Sequence, residues 1–310
     1  MPQHHRLQDG VAIITALLIM TIVATVGITL ATHLQLDVRR TSNIIANEQA
    51  LIFVSGAEEL SRYGLQLDRE NNSIDDYKEE WAKPQTFPFE GGSLKGQLSD
   101  LQACFNINSL VAGNAVNPLA KERFQRLLST LTLNPSLADA VIDWIDSNVD
   151  TSLPDGAEDG YYMNLEKPYR TANQAMQSPS ELRLVKGFEA TEAYNILAPF
   201  VCAFGQSAGI NVNTAREEVL ISLARDMTPA LAKQIIAERT DKAYDSVNDM
   251  ITRNSLSKVI TSIDQLSVAT DYFLLTTEVA VAQSRVQVYS VLWRQASGKT
   301  SVLMHSIGAY

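Results

Sequence analysis

VAIITALLIMTIVATVGITLA, residues 11–31, is an uncharged run of 21 residues. At helical rise it reaches about 30 Å, the thickness of a bilayer's hydrocarbon core. The leader before it, MPQHHRLQDG, is polar and ends on Gly10. A secretory signal peptide carries an apolar region of only ~7–15 residues closed by an A-x-A-like site. This run is longer, and no convincing small-residue site follows it. The polar continuation HLQLDVRRTSNIIANEQALIFVSGAEELSRYGLQLD, residues 33–68, contains no proline. Within it Leu34, Val38, Ile45, Ile52, Leu60 and Leu67 recur at intervals of four, seven or eight, which puts them roughly on one helical face. The pattern predicts one helix from about residue 11 to residue 67, on the order of 85 Å long, its first part a single-span anchor.

The flanks suggest an orientation. Arg6 and the amino terminus precede the span, and Asp37, Arg39 and Arg40 follow it, so the positive charge is nearly balanced. A short tail inside and a large C-terminal domain outside is the simplest topology. That domain then sits in an oxidising compartment, where the two cysteines, Cys104 and Cys202, can pair. A bridge would close a loop of about 100 residues and contribute up to ~4.7 kcal/mol in the chain-entropy model. Two buried free thiols are the alternative reading. Thirty-five acidic against 25 basic residues give a net charge of −10, which argues against a nucleic-acid partner. A hydrophobic fraction of 45% excludes wholesale disorder, and the length allows one large or two modest domains.

A short leader ending in Gly10, an apolar helix starting at once and a long amphipathic continuation resemble a type IV prepilin or a type II secretion pseudopilin. The resemblance implies that a prepilin peptidase cuts after Gly10 and methylates the new amino terminus, Val11. Two positions depart from the family pattern: Val11 stands where Phe is common, and Thr15 where Glu is common. That Glu is thought to pair with a neighbouring subunit's terminal amine, so Thr15 implies no such neighbour. Within the family this is similar to the K-type minor pseudopilin.

Beyond the helix, the polar stretch of residues 68–88, with Pro84 and Pro88, predicts a loop. Residues 93–98 predict a short strand. TTEVAVAQSRVQVYSVLWRQ, residues 276–295, is β-branched and alternating, and Ser297-Gly298 offers a turn into a partner strand at residues 301–310. Between these lies a helical region with an internal echo. FNINSL (residues 105–110) and GINVNTA (residues 209–215) each precede a helix, a turn containing Pro135 or Pro229, and a second helix. Asn106 and Asn211 are candidate caps or turn residues. Such paired helices resemble helix-hairpin-helix or SAM-like units, here a packing module because the basic signature for phosphate is missing. The expected fold is α+β: a long N-terminal helix on a small antiparallel sheet, with an inserted helical SAM-like domain. The boundaries expected are 1–10 for the leader, 11–31 for the span, 32–100 for the helix continuation and start of the core, 101–270 for the insertion and 271–310 for the C-terminal strands.

The most chemically loaded stretch is DAVIDWIDSNVDTSLPDGAEDG, residues 139–160, with seven acidic residues and no basic one. Asp146, Asn148 and Asp150 alternate, Gly156 permits a sharp turn, and Glu158 and Asp159 can close a site. Oxygen donors without His or Cys suit calcium, although solvated acidic surface is the alternative reading, and the spacing is not that of an EF-hand. The motifs DWID, GAEDGYY, PYRTANQ and SPSELRLVKGF resemble the K-type pseudopilin, whose inserted domain binds calcium near this stretch. The match holds at Asp143, Trp144, Asp146, Gly156, Ala157, Glu158, Asp159 and Tyr162, then at Tyr169, Asn173, Glu181, Leu182 and Gly187. Asn148 stands where Asp is more usual. Asp146, Asp150, Glu158 and Asp159 are the leading ligand candidates, with Asn148 beside them and Asn173 and Glu181 as ligands, caps or a core pair.

Enzymatic constellations are weak. His4, His5, His33 and His305 do not cluster, and no G-x-S-x-G, P-loop or dinucleotide fingerprint occurs. The resemblance implies a non-enzymatic role instead: a K-type minor pseudopilin at the pseudopilus tip, joined to the I and J minor pseudopilins and supporting export across the outer membrane. It would be anchored in the inner membrane with its C-terminal domain in the periplasm. A minor type IV pilin or membrane-anchored calcium-binding adhesin is the second reading, and a secreted hydrolase with an uncut anchor the third.

Overall fold

The computed structural model describes residues 6–189, 191–205, 208–282 and 284–308. The first element, α1 (Arg6–Asn71), is an unbroken 66-residue helix, ~100 Å long at helical rise. In its apolar part the threonines satisfy themselves: Thr21 donates to the Leu18 carbonyl at 2.8 Å and Thr25 to Thr21 at 2.7 Å. Thr29 and Thr32 donate likewise to Thr25 and Ile28. No hydroxyl in that stretch therefore needs water, which is the condition for residing in lipid. Residues 11–45 are exposed throughout, and burial begins after them at Ala46.

The face of α1 that packs on the sheet is not the one picked out by the large apolar residues. Ala46, Ala50, Val54, Ala57 and Leu65 are the buried positions. Leu34, Val38, Ile45, Ile52, Leu60 and Leu67 are exposed, Ile52 at 71%. Small side chains let the helix lie close on the strands, and the bulky stripe is turned outward.

The sheet has five antiparallel strands in sequence order: β1 (Gln85–Phe89), β2 (Gly92–Asp100), β3 (Tyr272–Val281), β4 (Ser284–Arg294) and β5 (Thr300–Ile307). Strand β1 falls where a loop was predicted from its prolines. Pro88 is tolerated because β1 is an edge strand, paired on one side only. The expected strand at residues 93–98 lies inside β2, and the expected C-terminal hairpin is β4–β5, turning at Gly298 (φ 84°). Helix α1 crosses mainly β3 and β4. It is pinned there by Arg62 Nε donating to the Thr300 carbonyl at 2.9 Å and Ser290 Oγ donating to Glu58 at 2.5 Å.

Neighbouring strands β2 and β3 are separated by the helical region. It contains α2 (Pro118–Thr130), α3 (Leu137–Ile145), α4 (Asp159–Tyr162), α5 (Thr191–Leu197), α6 (Glu217–Ser222), α7 (Pro229–Asp241) and α8 (Val247–Arg253). The sequence echo is a structural repeat. Asn106 and Asn211 each accept from the backbone N–H two residues on, at 3.2 and 3.0 Å. Asn108 clamps both backbone groups of Met176, and Asn213 those of Tyr244, with matching bonds of 2.8–3.0 Å. Each motif also forms a short parallel bridge, to Val201–Cys202 and Leu266–Ser267 respectively. The asparagines thus turn the chain and fasten a distant segment, a buried double duty that neither Asp nor Ser can perform with the same donor and acceptor. The two units pack into one apolar core that runs through both.

A buried polar node fixes this region to the sheet. Arg294 donates to Asp68 at 2.7 Å, to Asp75 at 2.6 Å and to the Thr270 carbonyl at 2.7 Å. Asp100, fully buried, accepts from Thr214 and Thr270 hydroxyls and from Asn211 Nδ2. Burial pushes its carboxyl up to about 6. Cys104 and Cys202 face each other beside this node, their Cα atoms 5.8 Å apart, within reach of a disulfide.

Candidate calcium loop

Helix α3 carries Asp139 and Asp143 at i and i+4, so both share one face, and Asp146 is its C-cap; all three are buried. Lys121 on α2 answers Asp139 at 2.7 Å. Asp143 accepts from the Ser152 backbone N–H at 3.0 Å, which folds the loop back over the end of α3. Gly156 then donates to the Ser152 carbonyl at 2.8 Å. A Cβ on Gly156 would overlap the Asp143 carboxylate and the Ser152 carbonyl, so only glycine closes this turn. The closure delivers Glu158 and Asp159 to the start of α4. Thr171 Oγ1 lies 3.2 Å from Glu158 Oε2 and 3.0 Å from Asp159 Oδ1, while the Thr171 N–H donates to Asp159 at 3.0 Å. Asn173, at φ 47°, is held against α3 by its N–H donating to the Trp144 carbonyl at 3.0 Å.

Three buried side-chain oxygens here have no hydrogen-bond donor: Asp146 Oδ1, Glu158 Oε1 and Asn173 Oδ1. A buried acceptor left unpaired is costly, and a carboxylate among carboxylates more so. Burial raises the Glu158 carboxyl to about 7, with Asp143, Asp146 and Asp159 adding repulsion. Asp146 is raised by burial and by Asp143. Nearby cations do little to offset this. Arg170 is exposed and stands 3.8 Å from Asp159, and Lys186 Nζ donates to the Asp155 and Gly156 carbonyls. The donor set is all oxygen, carboxylate and amide, which is the chemistry of a hard cation such as calcium. That donor chemistry fits the ion: Asp146, Glu158 and Asn173 each carry a buried, unpaired oxygen that would serve as a ligand.

The other candidates are placed differently. Asn148 and Asp150 are exposed on the loop crown, where the Asp150 N–H donates to Asn148 Oδ1 at 2.7 Å. Glu181 caps a 3₁₀ turn with Ser178. Gly10 and Val11 lie within α1, and Thr15 Oγ1 is turned back onto the Val11 and Ala12 carbonyls at 3.1 and 3.0 Å. Thr171 was not anticipated, because its part depends on the fold bringing two acids to it across the chain. Among the described residues the group of three carboxylates whose oxygens lie within 4.8 Å of one another is not in this loop but is Asp68, Asp75 and Glu79. There the Arg294 guanidinium already supplies the cation, which makes it a structural ion-pair node.

Comparison with known proteins follows the two repeat units closely. Residues 103–206 match a family model described as type II secretion system (T2SS), protein K, and residues 210–269 match a second model with the same description. The type II secretion system protein K of Pseudomonas aeruginosa is 34% identical over 97% of this chain and 93% of its own length. That of Aeromonas hydrophila is 32% identical over 96% of each. Among solved structures, a chain of the GspK-GspI-GspJ complex from the enterotoxigenic Escherichia coli type 2 secretion system superposes with a TM-score of 0.79. It is 29% identical, over 87% of this chain and 100% of that one.

Proposed function

We propose that this chain, which belongs to the protein K family of the type II secretion system and is a minor pseudopilin, caps the tip of the pseudopilus together with I and J partners and so supports protein export. The observation that carries the reading is the uneven loading of α1. Residues 11–45 are exposed throughout, whereas the helical region is tied to the chain just past the far end of α1, where the Asp75 N–H donates to the Val268 carbonyl. A bare end must be covered by lipid or neighbouring helices. A heavy end leaves little room for another subunit stacked above it.

In this reading the span lies in the inner membrane and the sheet and helical region in the periplasm. The prepilin peptidase cuts after Gly10, and Val11 becomes the methylated terminus. Thr15, hydrogen-bonded to its own helix, asks for no amine from a subunit above. The acidic loop holds calcium, and Cys104 and Cys202 form a bridge that ties the first repeat unit to the sheet. Alkylation mass spectrometry without reductant tests the bridge: uptake of two alkyl groups by the native chain would exclude it. The role itself is one of assembly, with no catalytic step. The relatives are secretion proteins throughout, which disfavours the pilin and adhesin readings.

Gold-labelled antibody against the helical region, applied to sheared pseudopili, tests the placement. Label confined to one fibre end is expected. Regular decoration along the fibre would refute the tip assignment.

A further inference from the structure

Helix α2 carries Lys121, Arg123 and Arg126. Lys121 pairs with Asp139 at 2.7 Å and Arg126 with Glu122 at 3.4 Å. Arg123 is the exception. It is 1% exposed, and among the described residues no carboxylate pairs with it. Its guanidinium reaches from the first repeat unit into the second, where Nη1 donates to the Asp264 carbonyl at 2.7 Å and Nη2 to the Ser262 carbonyl at 3.3 Å. The Asp264 carboxylate is turned to another partner, the Ser262 hydroxyl, at 3.0 Å. Arg123 Nε is buried and has no acceptor among the described residues. A guanidinium keeps its charge and needs its rigid fork of donors filled, so neutral carbonyls alone leave a buried charge and one donor unanswered. Burial and the nearby Arg126 push it down to about 10, which leaves it protonated at neutral pH.

Arg123 also lines a cavity of about 10 Å³ at the seam between the two units. Phe105 and Ser109 share its wall from the first unit, and Gly209, Ile210 and Gln265 from the second. The two sides meet this closely because residue 209 is glycine: a Cβ there would stand 2.7 Å from the Gln265 carbonyl carbon. The space suits about one water-sized particle. Arg123 is the one charged residue among the described residues of its wall, and Gln265 adds an amide donor.

We propose that this cavity binds a single chloride-sized anion, held by Arg123 Nε and shared by the two repeat units. The ion supplies to Arg123 the negative charge that Lys121 and Arg126 receive from carboxylates. The volume excludes phosphate and other polyatomic anions. A water accepts from Nε as well but leaves the charge unanswered, and it is the competing outcome of the test. Because both units contribute to the wall, the ion stabilises their docking on each other.

The full-length chain is purified in mild detergent, with calcium held constant as its gluconate salt. Its thermal midpoint is measured in sodium chloride or bromide and in sodium gluconate at equal ionic strength. At a tenfold excess over the dissociation constant the halides should raise the midpoint by about 3–6 °C. Arg123→Met removes both the charge and Nε and should abolish that difference, while its midpoint in gluconate reports any general loss of stability. Crystals of the wild-type chain grown in bromide and measured at the bromine absorption edge should show an anomalous peak beside Arg123 Nε. A water there without anomalous signal, or equal midpoints in halide and gluconate, would overturn the proposal. So would a halide response that survives undiminished in Arg123→Met.

Discussion

Calcium removal should expose the acidic loop as the weakest part of the helical region, and one substitution should change sign with the ion. In the folded chain Asp143, Asp146 and Glu158 are buried, Asp159 stands beside them, and the facing arginine, Arg170, is exposed. Three acceptors there lack any donor. An ion binding only the folded state stabilises by about 2.7 kcal/mol at a hundredfold excess over its dissociation constant. For a unit of 150–250 residues each kcal/mol moves the thermal midpoint by about 2–4 °C, so calcium against chelator should separate the midpoints by about 5–11 °C. Glu158→Gln removes a carboxylate that its neighbours repel. Without calcium it should therefore raise the midpoint of the full-length chain, and with calcium it should lower it by removing a ligand. Calorimetry on both proteins in both conditions gives the four values needed. A glutamate that merely packs would shift the midpoint the same way with and without the ion. Parallel shifts, or a wild-type midpoint indifferent to chelator, would refute the reasoning and return the loop to ordinary acidic surface.

Three further outcomes follow from the fold. Ala50→Leu forces a bulky side chain between α1 and the sheet and should cost about 1–3 kcal/mol in urea unfolding, whereas Ile52→Ser on the outward face should be near neutral. Arg294→Met leaves Asp68 and Asp75 facing each other without a cation and should destabilise by about 3–5 kcal/mol, while Asp75→Asn together with Arg294→Met should recover part of that loss. Gly10→Leu should leave the leader attached. Intact mass should then show the full chain and not one beginning at Val11 with an added methyl, and normal processing of the variant would count against the peptidase reading.

What the sequence made legible was whatever repeats or runs locally. The apolar run, the alternating C-terminal strands and the two Asn-x-Asn motifs all carry their signal within a few adjacent residues. The structure gives each the expected kind of element. Strand β1 was hidden because Pro88 reads as a breaker until one knows the strand lies at an edge. The acidic loop was visible as charge, but its geometry was not. Alternation singled out Asp146, Asn148 and Asp150, of which Asp146 is buried while Asn148 and Asp150 lie on the exposed crown; the burial of Glu158 behind the closure at Gly156 and the anchoring of Asn173 to the Trp144 carbonyl have no local trace. The node of Arg294, Asp75 and Asp100 joins residues up to 219 positions apart and leaves no local trace.

The misread face of α1 follows from the same physics. Hydrophobic periodicity finds the face with the largest apolar side chains, and in a solitary globular domain that face is the one packed inside. Here the sheet takes the alanines, because a helix lying flat on twisted strands gains more from close approach than from bulk. The large residues were then free to be selected for something outside the chain. Ile45, Ile52, Leu60 and Tyr63 are each more than half exposed, well past the uncharged run of residues 11–31. Scattered apolar residues need no cause, but a stripe continued over several turns does. The amphipathic pattern of α1 is thus a record of two surfaces, one folded within this chain and one left for neighbours. The stronger hydrophobic signal belongs to the second.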